Sequence, residues 1–429
     1  MIGAGPKIHP IPSHTQTNIF AVNYANLTLR ETILPHNVPL VQVCAAYPFY
    51  VHDMSSIKWI FFFIPITFLG CQPSSSSVIP DQSGCNTPFD PSRDYFPVQI
   101  QPEEAEGFSV TYHRNYKLVK VIRAWPGTSK TFTYVLKVCG APMPKVSSDA
   151  VVTIPVQKMI TTSTTQLPGL QQLGVLEKWV GHAGKSFITL PTLVAKAQTV
   201  AEVGSQELDT EKILGLKPDL VMGYAMGAPT DIHHKLRPLP ISVVLNGEFA
   251  ESSPLARTEW IKFMALFFNK EAQANLVFNG LKQRYRALQE MHELGPKPVV
   301  FTGSYFNGNW YVAGSNSFMS HLIRDAGATY AIQDTAATLT LDFEGVLGRT
   351  KNATHWIGTV PFKDEAAIRQ TDGRFVMLPS ARKGAYFAYD GRFFEAAVLE
   401  PDVILRDLRA IFYPDQTKGY RIQYFKGLQ

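Results

Sequence analysis

Cysteine and clustered metal ligands are what this sequence has least of. Its 429 residues hold only Cys44, Cys71, Cys85 and Cys139, and no two lie close enough to make a C-x-x-C pair. Neither an H-E-x-x-H pair nor a G-x-S-x-G elbow occurs, so the motifs of zinc peptidases and serine hydrolases are missing. Gly184-Lys-Ser186 has the ending of a phosphate-binding loop, but the pattern requires glycine where Trp179 stands. His233-His234 is an adjacent pair, and neighbours on a chain rarely share one face, so no protein-built metal cage is expected. A long basic block is also absent. The formal charge of +5 comes from 40 basic and 35 acidic residues spread along the chain, which argues against a nucleic-acid partner.

What is present is a globular composition, 45% hydrophobic, in a chain long enough for two or three domains. Met54-Ser-Ser-Ile-Lys58 leads into an apolar run from Trp59 to Gly70 that ends at Cys71. That run is shorter than the roughly 20 residues a membrane crossing needs, and it reads as a signal peptide over 54–71. Leu69-Gly70-Cys71 resembles a bacterial lipobox, which makes Cys71 the expected site of lipidation. Residues 1–53, with no acidic residue except Glu31 and Asp53, are then expected to be an upstream extension outside the working protein, an unusual presequence or a disordered arm. Residues 72–92 are rich in Ser, Pro, Gly and Asp and read as a tether. An oxidising compartment would permit Cys85 and Cys139 to pair, and spacing alone leaves that pairing open.

Folding resumes after the tether. Residues 108–114, 118–123 and 131–138 are β-branched and aromatic and predict a hairpin with a following strand. Beyond them, strands expected at 151–155, 219–223 and 241–245 alternate with helical stretches, the signature of a parallel sheet covered by helices. Apolar residues from Trp260 to Leu288 recur at helical spacing and predict one helix over about 258–293. The alternation then repeats with strands at 298–301 and 355–358 and helices near 317–326, 343–349 and 402–412. The expected fold is α/β, with two Rossmann-like lobes over 93–250 and 295–429, mostly parallel central sheets, and one long helix in 251–294 joining them. A cleft between such lobes suits a small ligand.

Carboxyl ends of strands are where open α/β sheets bind ligands, which singles out Tyr224, Tyr305, Trp310 and Tyr311 as aromatic walls. Arg382, Lys383, Tyr386 and Tyr389 lie in an expected polar, aromatic loop, where a guanidinium could pair with ligand oxygens.

Seven fragments resemble, in order, the periplasmic binding proteins for iron-siderophore complexes and cobalamin, whose lobes are bridged by a single rigid helix. They are Thr161-Thr-Ser-Thr-Thr-Gln166 with Leu170-Gln-Gln-Leu-Gly174, the run from Leu208 to Val221, Pro254-Leu-Ala-Arg-Thr-Glu-Trp-Ile-Lys262, Gly308-Asn-Trp-Tyr-Val-Ala-Gly314, Leu322-Ile-Arg-Asp-Ala-Gly327, Asp342-Phe-Glu-Gly-Val-Leu347 and the run from Glu400 to Leu408. The resemblance implies a monomeric, non-enzymatic receptor of an ABC importer, lipid-anchored at the periplasmic or outer surface of a bacterial membrane. It would have no resident cofactor and would pass its ligand to a permease dimer with ATPase subunits. The implied ligand is an iron(III)-siderophore type of chelate, with cobalamin or another corrinoid, or haem, as alternatives. A sensor or assembly factor could use the same fold. Thr162 and Thr164 join the cleft candidates through the first fragment, and the resemblance assigns permease docking to Glu211 and Glu344. Ala388-Tyr-Asp-Gly-Arg392 departs from the Gly-Asn-Asp-Tyr run of many relatives, which leaves the ligand's identity open.

Overall fold

The computed structural model describes residues 89–205, 207–291 and 295–429. The expected signal segment with Cys71, residues 1–53, and the tether up to residue 88 with Cys85 lie outside them. Cys139 is disulfide-bonded. No described helix is long and apolar enough to cross a membrane.

The aromatic and β-branched runs near the start form β1 (Phe108–Tyr112), β2 (Tyr116–Val121) and β3 (Phe132–Val138), joined by β4 (Ala150–Ile154). β1 to β3 form an antiparallel meander and β4 lies parallel to β3. This sheet packs into the same core as the first lobe through residues such as Phe108, Tyr134 and Leu136.

The first lobe follows as β5 (Met159–Thr161), α1 (Leu167–Gln172), β6 (Trp179–His182), α2 (Pro191–Ala197), β7 (Ala201–Glu202), α3 (Thr210–Leu216), β8 (Leu220–Gly223), α4 (Ile232–Leu236) and β9 (Val243–Leu245). Every pairing is parallel, and the order is β7-β6-β5-β8-β9. β5 and β8 are buried along their whole lengths, as expected for strands covered on both faces. The chain moves outward from β5 to β6 and β7, then returns to the other side for β8 and β9. The direction of winding therefore reverses between β5 and β8, and that reversal opens a crevice at their carboxyl ends.

The expected single helix over 258–293 is two helices, α5 (Pro254–Ala265) and α6 (Glu271–Gln289). Tight turns carry the chain through 266–268, and Asn269 takes a left-handed φ of 52°. Leu266, Phe267 and Phe268 stay buried through the break, so the apolar spacing that predicted one helix continues across the interruption. α6 is the element that joins the lobes. Its Ala274, Phe278 and Leu281 belong to the first core, and its Tyr285 and Leu288 to the second. Its 19 residues span about 28 Å. α5 is strapped by the segment leading to β1. Buried Glu259 accepts N–H groups of Glu103, Glu104 and Ala105, and buried Glu251 accepts those of Glu106 and Gly107.

The second lobe consists of β10 (Val299–Phe306), β11 (Asn309–Ala313), α7 (Phe318–Asp325), β12 (Thr329–Tyr330), β13 (Thr338–Leu341), α8 (Phe343–Thr350), β14 (His355–Gly358), α9 (Glu365–Thr371), β15 (Tyr386–Tyr389), α10 (Phe393–Ala396), α11 (Pro401–Phe412) and β16 (Phe425–Gly427). Its sheet is mixed. β10 pairs in parallel with β12 and β14, and β14 with β15, whereas β11, β13 and β16 join antiparallel. Here too winding reverses, at β10, with β12 on one side and β14 on the other.

Candidate functional site

The first lobe's reversal point meets the second lobe at the turn after β5. α10, just beyond β15, packs against the 164–166 turn that follows β5. Glu395 on α10 accepts the backbone N–H groups of Thr189 and Leu190 at 2.7 Å each, which caps the entry to α2 from the other lobe. Burial pushes this carboxyl above its ordinary range. Nearby, the Arg257 guanidinium of α5 lies 4.2 Å from the ring centre of Phe318 on α7, and Thr258 Oγ1 donates to Val398 O at 2.8 Å.

The first-lobe floor is polar. β5 runs into the turn Thr162 to Gln166 because Ser163 caps it, its side chain accepting from Thr165 N–H. Thr162 donates its N–H to Met222 O, while its buried hydroxyl has no protein partner. Thr164, half-buried, opens the turn. Thr165 Oγ1 donates to Glu248 Oε1 at 2.6 Å, and both amide atoms of buried Gln166 are unpartnered. Glu248 lies just beyond β9, its carboxyl pushed up by burial. Arg257 donates Nη2 to Phe249 O and Glu251 O, leaves Nε unpartnered, and is pulled down to about 10 by burial. Sequence reasoning missed Gln166, Glu248, Arg257 and Glu395. The signal for Glu248 was its place right after the strand expected at 241–245.

The expected aromatic walls divide into exposed and buried groups. Tyr224 is exposed beyond β8, edge-on to Phe249, and burial of its hydroxyl end raises its pKa. Tyr305 is half-buried and meets Phe375 edge-on at 5.1 Å. Trp310 is not a wall: it is 0% exposed, packed among Phe301, Trp356 and Phe375. Tyr305 pairs directly with Trp310, so the two share a face, while Tyr311 pairs with Ser304 and points to the other. Tyr386 and Tyr389 also depart from expectation. They belong to β15, a strand rather than a polar loop, because Tyr-Phe-Ala-Tyr is a strand sequence held against β14. Tyr386 is 1% exposed and donates its hydroxyl to Val360 O. Tyr389 is buried against Phe393, shares a hydrogen bond with Thr302 Oγ1 at 3.0 Å, and is pushed up to about 12 by burial. Arg382 and Lys383 are exposed; Arg382 and Arg369 line a cavity of about 220 Å³ with Glu365 and Ile368.

Glu211 and Glu344 are exposed in the first turns of α3 and α8, whose entries are capped by Asp209 and Asp342. A carboxylate there also complements the helix dipole.

Residues 159–358, which span the first-lobe sheet, the bridge and most of the second-lobe sheet, match the periplasmic binding protein family. The match covers a little under half of the chain. It is 22% identical over 289 residues to an uncharacterized lipoprotein of Methanocaldococcus jannaschii, covering 64% of this chain and 69% of that one. An uncharacterized ABC transporter substrate-binding lipoprotein of Bacillus subtilis is 23% identical over 206 residues, covering 47% and 62% respectively. The periplasmic heme binding protein of Pseudomonas aeruginosa shares the fold, with a TM-score of 0.51 at 20% identity, covering 64% of this chain and 98% of that one. The matched segment begins at β5, so the four-stranded sheet before it lies outside that segment.

Proposed function

We propose that this chain is the extracytoplasmic receptor of an ABC importer, capturing a metal chelate of the iron(III)-siderophore type between its lobes and delivering it to the permease and its ATPase subunits. One observation carries this assignment. Large exposed apolar side chains follow the carboxyl ends of strands in both sheets: Phe187 after β6, Tyr224 and Met226 after β8, Phe306 ending β10, Val360 after β14 and Phe394 after β15. Surface apolar residues scattered singly need no explanation, but this set gathers at the strand ends where α/β sheets take ligands. Such walls, over a floor carrying the unpartnered Thr162 hydroxyl and Gln166 amide, suit a large, partly apolar chelate.

The metal would come with its own donors. Among the described residues no group of three or more His, Cys, Asp or Glu could hold an ion. Haem is the second ligand to consider, since the same exposed aromatic walls suit a flat macrocycle. The names of the Bacillus relative and the Pseudomonas neighbour support an importer receptor for a chelate. We assign the membrane anchor to a lipid on Cys71 and permease docking to Glu211 and Glu344.

The test is titration of the full chain with ferric desferrioxamine B, hemin and cyanocobalamin, followed by intrinsic tryptophan fluorescence. Saturable, one-to-one binding of one chelate over the other two is the expected result. If none saturates, the proposal fails.

A further inference from the structure

The four-stranded sheet that precedes the matched segment does more than enlarge the first core. Its β2–β3 loop reaches the loops that follow β8 and β9 in the first lobe. At the first, a Cβ on Gly227 would lie 2.9 Å from Trp125 Nε1, and Gly227 has a left-handed φ of 82°. At the second, a Cβ on Gly247 would run into Arg123 O and lie 3.1 Å from Ala124 Cα. Glycine at both positions lets one loop, residues 123–125, back both of these loops at once.

The first of these contacts bears on ligand choice. Residues 224–228 form an apolar lip in which Tyr224 and Met226 are exposed. The lip cannot hold its shape by strand pairing, since β8 ends at Gly223. Its N–H groups are instead gathered by one carboxylate. Asp231 accepts from Met226 at 3.0 Å, Gly227 at 2.8 Å and Ala228 at 2.9 Å. Trp125 backs this turn from behind, its ring 6.0 Å from His233 and 5.9 Å from Phe132, and His233 follows Asp231 by two residues on α4.

We propose that Trp125 is a positioning residue for ligand selection, acting through Gly227 and the Asp231-bound turn to set where Tyr224 and Met226 meet the chelate. It rests on the receptor function proposed above. In this arrangement the sheet outside the matched segment gives the cleft one of its selectivity elements, and it does so without touching the ligand.

The test compares full-length wild-type, Trp125→Ala, Trp125→Phe and Asp231→Asn proteins. Hydrogen exchange is read at the Met226, Gly227 and Ala228 amides, and equilibrium binding is read with hemin, ferric desferrioxamine B and cyanocobalamin. Trp125→Ala should speed exchange at those three amides at least tenfold, leave β5 and β14 amides unchanged, and alter the ratio of affinities among the chelates. Trp125→Phe should restore most of both effects, and Asp231→Asn should reproduce them. Unchanged lip exchange in Trp125→Ala overturns the inference, as does a uniform rise across the first lobe, which would mark a merely structural tryptophan. A loosened lip with unaltered affinities overturns the selection role. If the wild-type chain binds none of the three, the receptor proposal has failed, and the exchange data alone decide whether Trp125 holds the lip.

Discussion

Replacing Lys117 with methionine should lower stability by about 3–5 kcal/mol, because it strands a buried carboxylate where two helices meet. Lys117 on β2 is wholly buried, and its ammonium lies 2.5 Å from Glu271 Oε1. It also donates to Leu266 O at 2.7 Å and Asn269 Oδ1 at 2.8 Å, and sits 4.6 Å from the centre of the Phe96 ring. Three features of the break between α5 and α6 thus converge on one nitrogen: a carbonyl left free at the end of α5, the left-handed Asn269, and the first residue of α6. Burial alone pulls the Lys117 pKa down, and Glu271 opposes that pull. A bonded, paired ammonium can persist in such a place, but a lone carboxylate cannot do so cheaply. Denaturant unfolding of Lys117→Met, Glu271→Leu and the double variant measures the coupling. The double variant should recover more than half of the loss in Lys117→Met. A single-variant loss below about 1 kcal/mol would show that the break holds itself.

Reversing Glu211 and Glu344 to lysine together should abolish uptake and association with the permease while leaving chelate affinity within twofold of wild type. Both carboxylates are exposed, one in each lobe, and both are the second residues of short helices capped by aspartate. Neither is within the cleft's set of polar contacts, so ligand binding should not register the change. Opposite charges across such an interface fix register and encounter rate more than total affinity, so reversal of both leaves no productive orientation. Uptake assays beside equilibrium titration separate the two effects. Normal uptake by the double variant, or loss of chelate binding, would remove the docking assignment.

Much of the fold was legible because it rests on period. The meander of β1 to β3 and the buried strands β8 and β14 showed as β-branched or apolar runs between turn residues, and the lobes as strand–helix alternation. The interruption at Asn269 was not legible, since Leu266, Phe267 and Phe268 keep the apolar spacing through it and the Lys117 contact that stabilises it comes from far along the chain. The cleft was legible only in part. Tyr224 stood out because a strand of known direction ends just before it. Trp310 read as a cleft wall and Tyr386 as part of a polar loop, yet both are buried: Trp310 shares the inward face of its hairpin with Tyr305, and Tyr386 lies in a strand hydrogen-bonded on both sides. Glu395 carries no local signal at all, for its two acceptor bonds join residues some two hundred positions apart.

The most direct test of the receptor assignment places a charge on each wall of the cleft. Tyr224→Asp and Phe306→Asp sit at exposed positions in different lobes, where neither change should disturb a core. Each variant is titrated with whichever of ferric desferrioxamine B, hemin or cyanocobalamin binds the wild-type chain, with the melting temperature as control. Capture between the lobes predicts that each substitution weakens that chelate at least tenfold with the melting temperature unchanged. Binding as tight as wild type in both variants would contradict it.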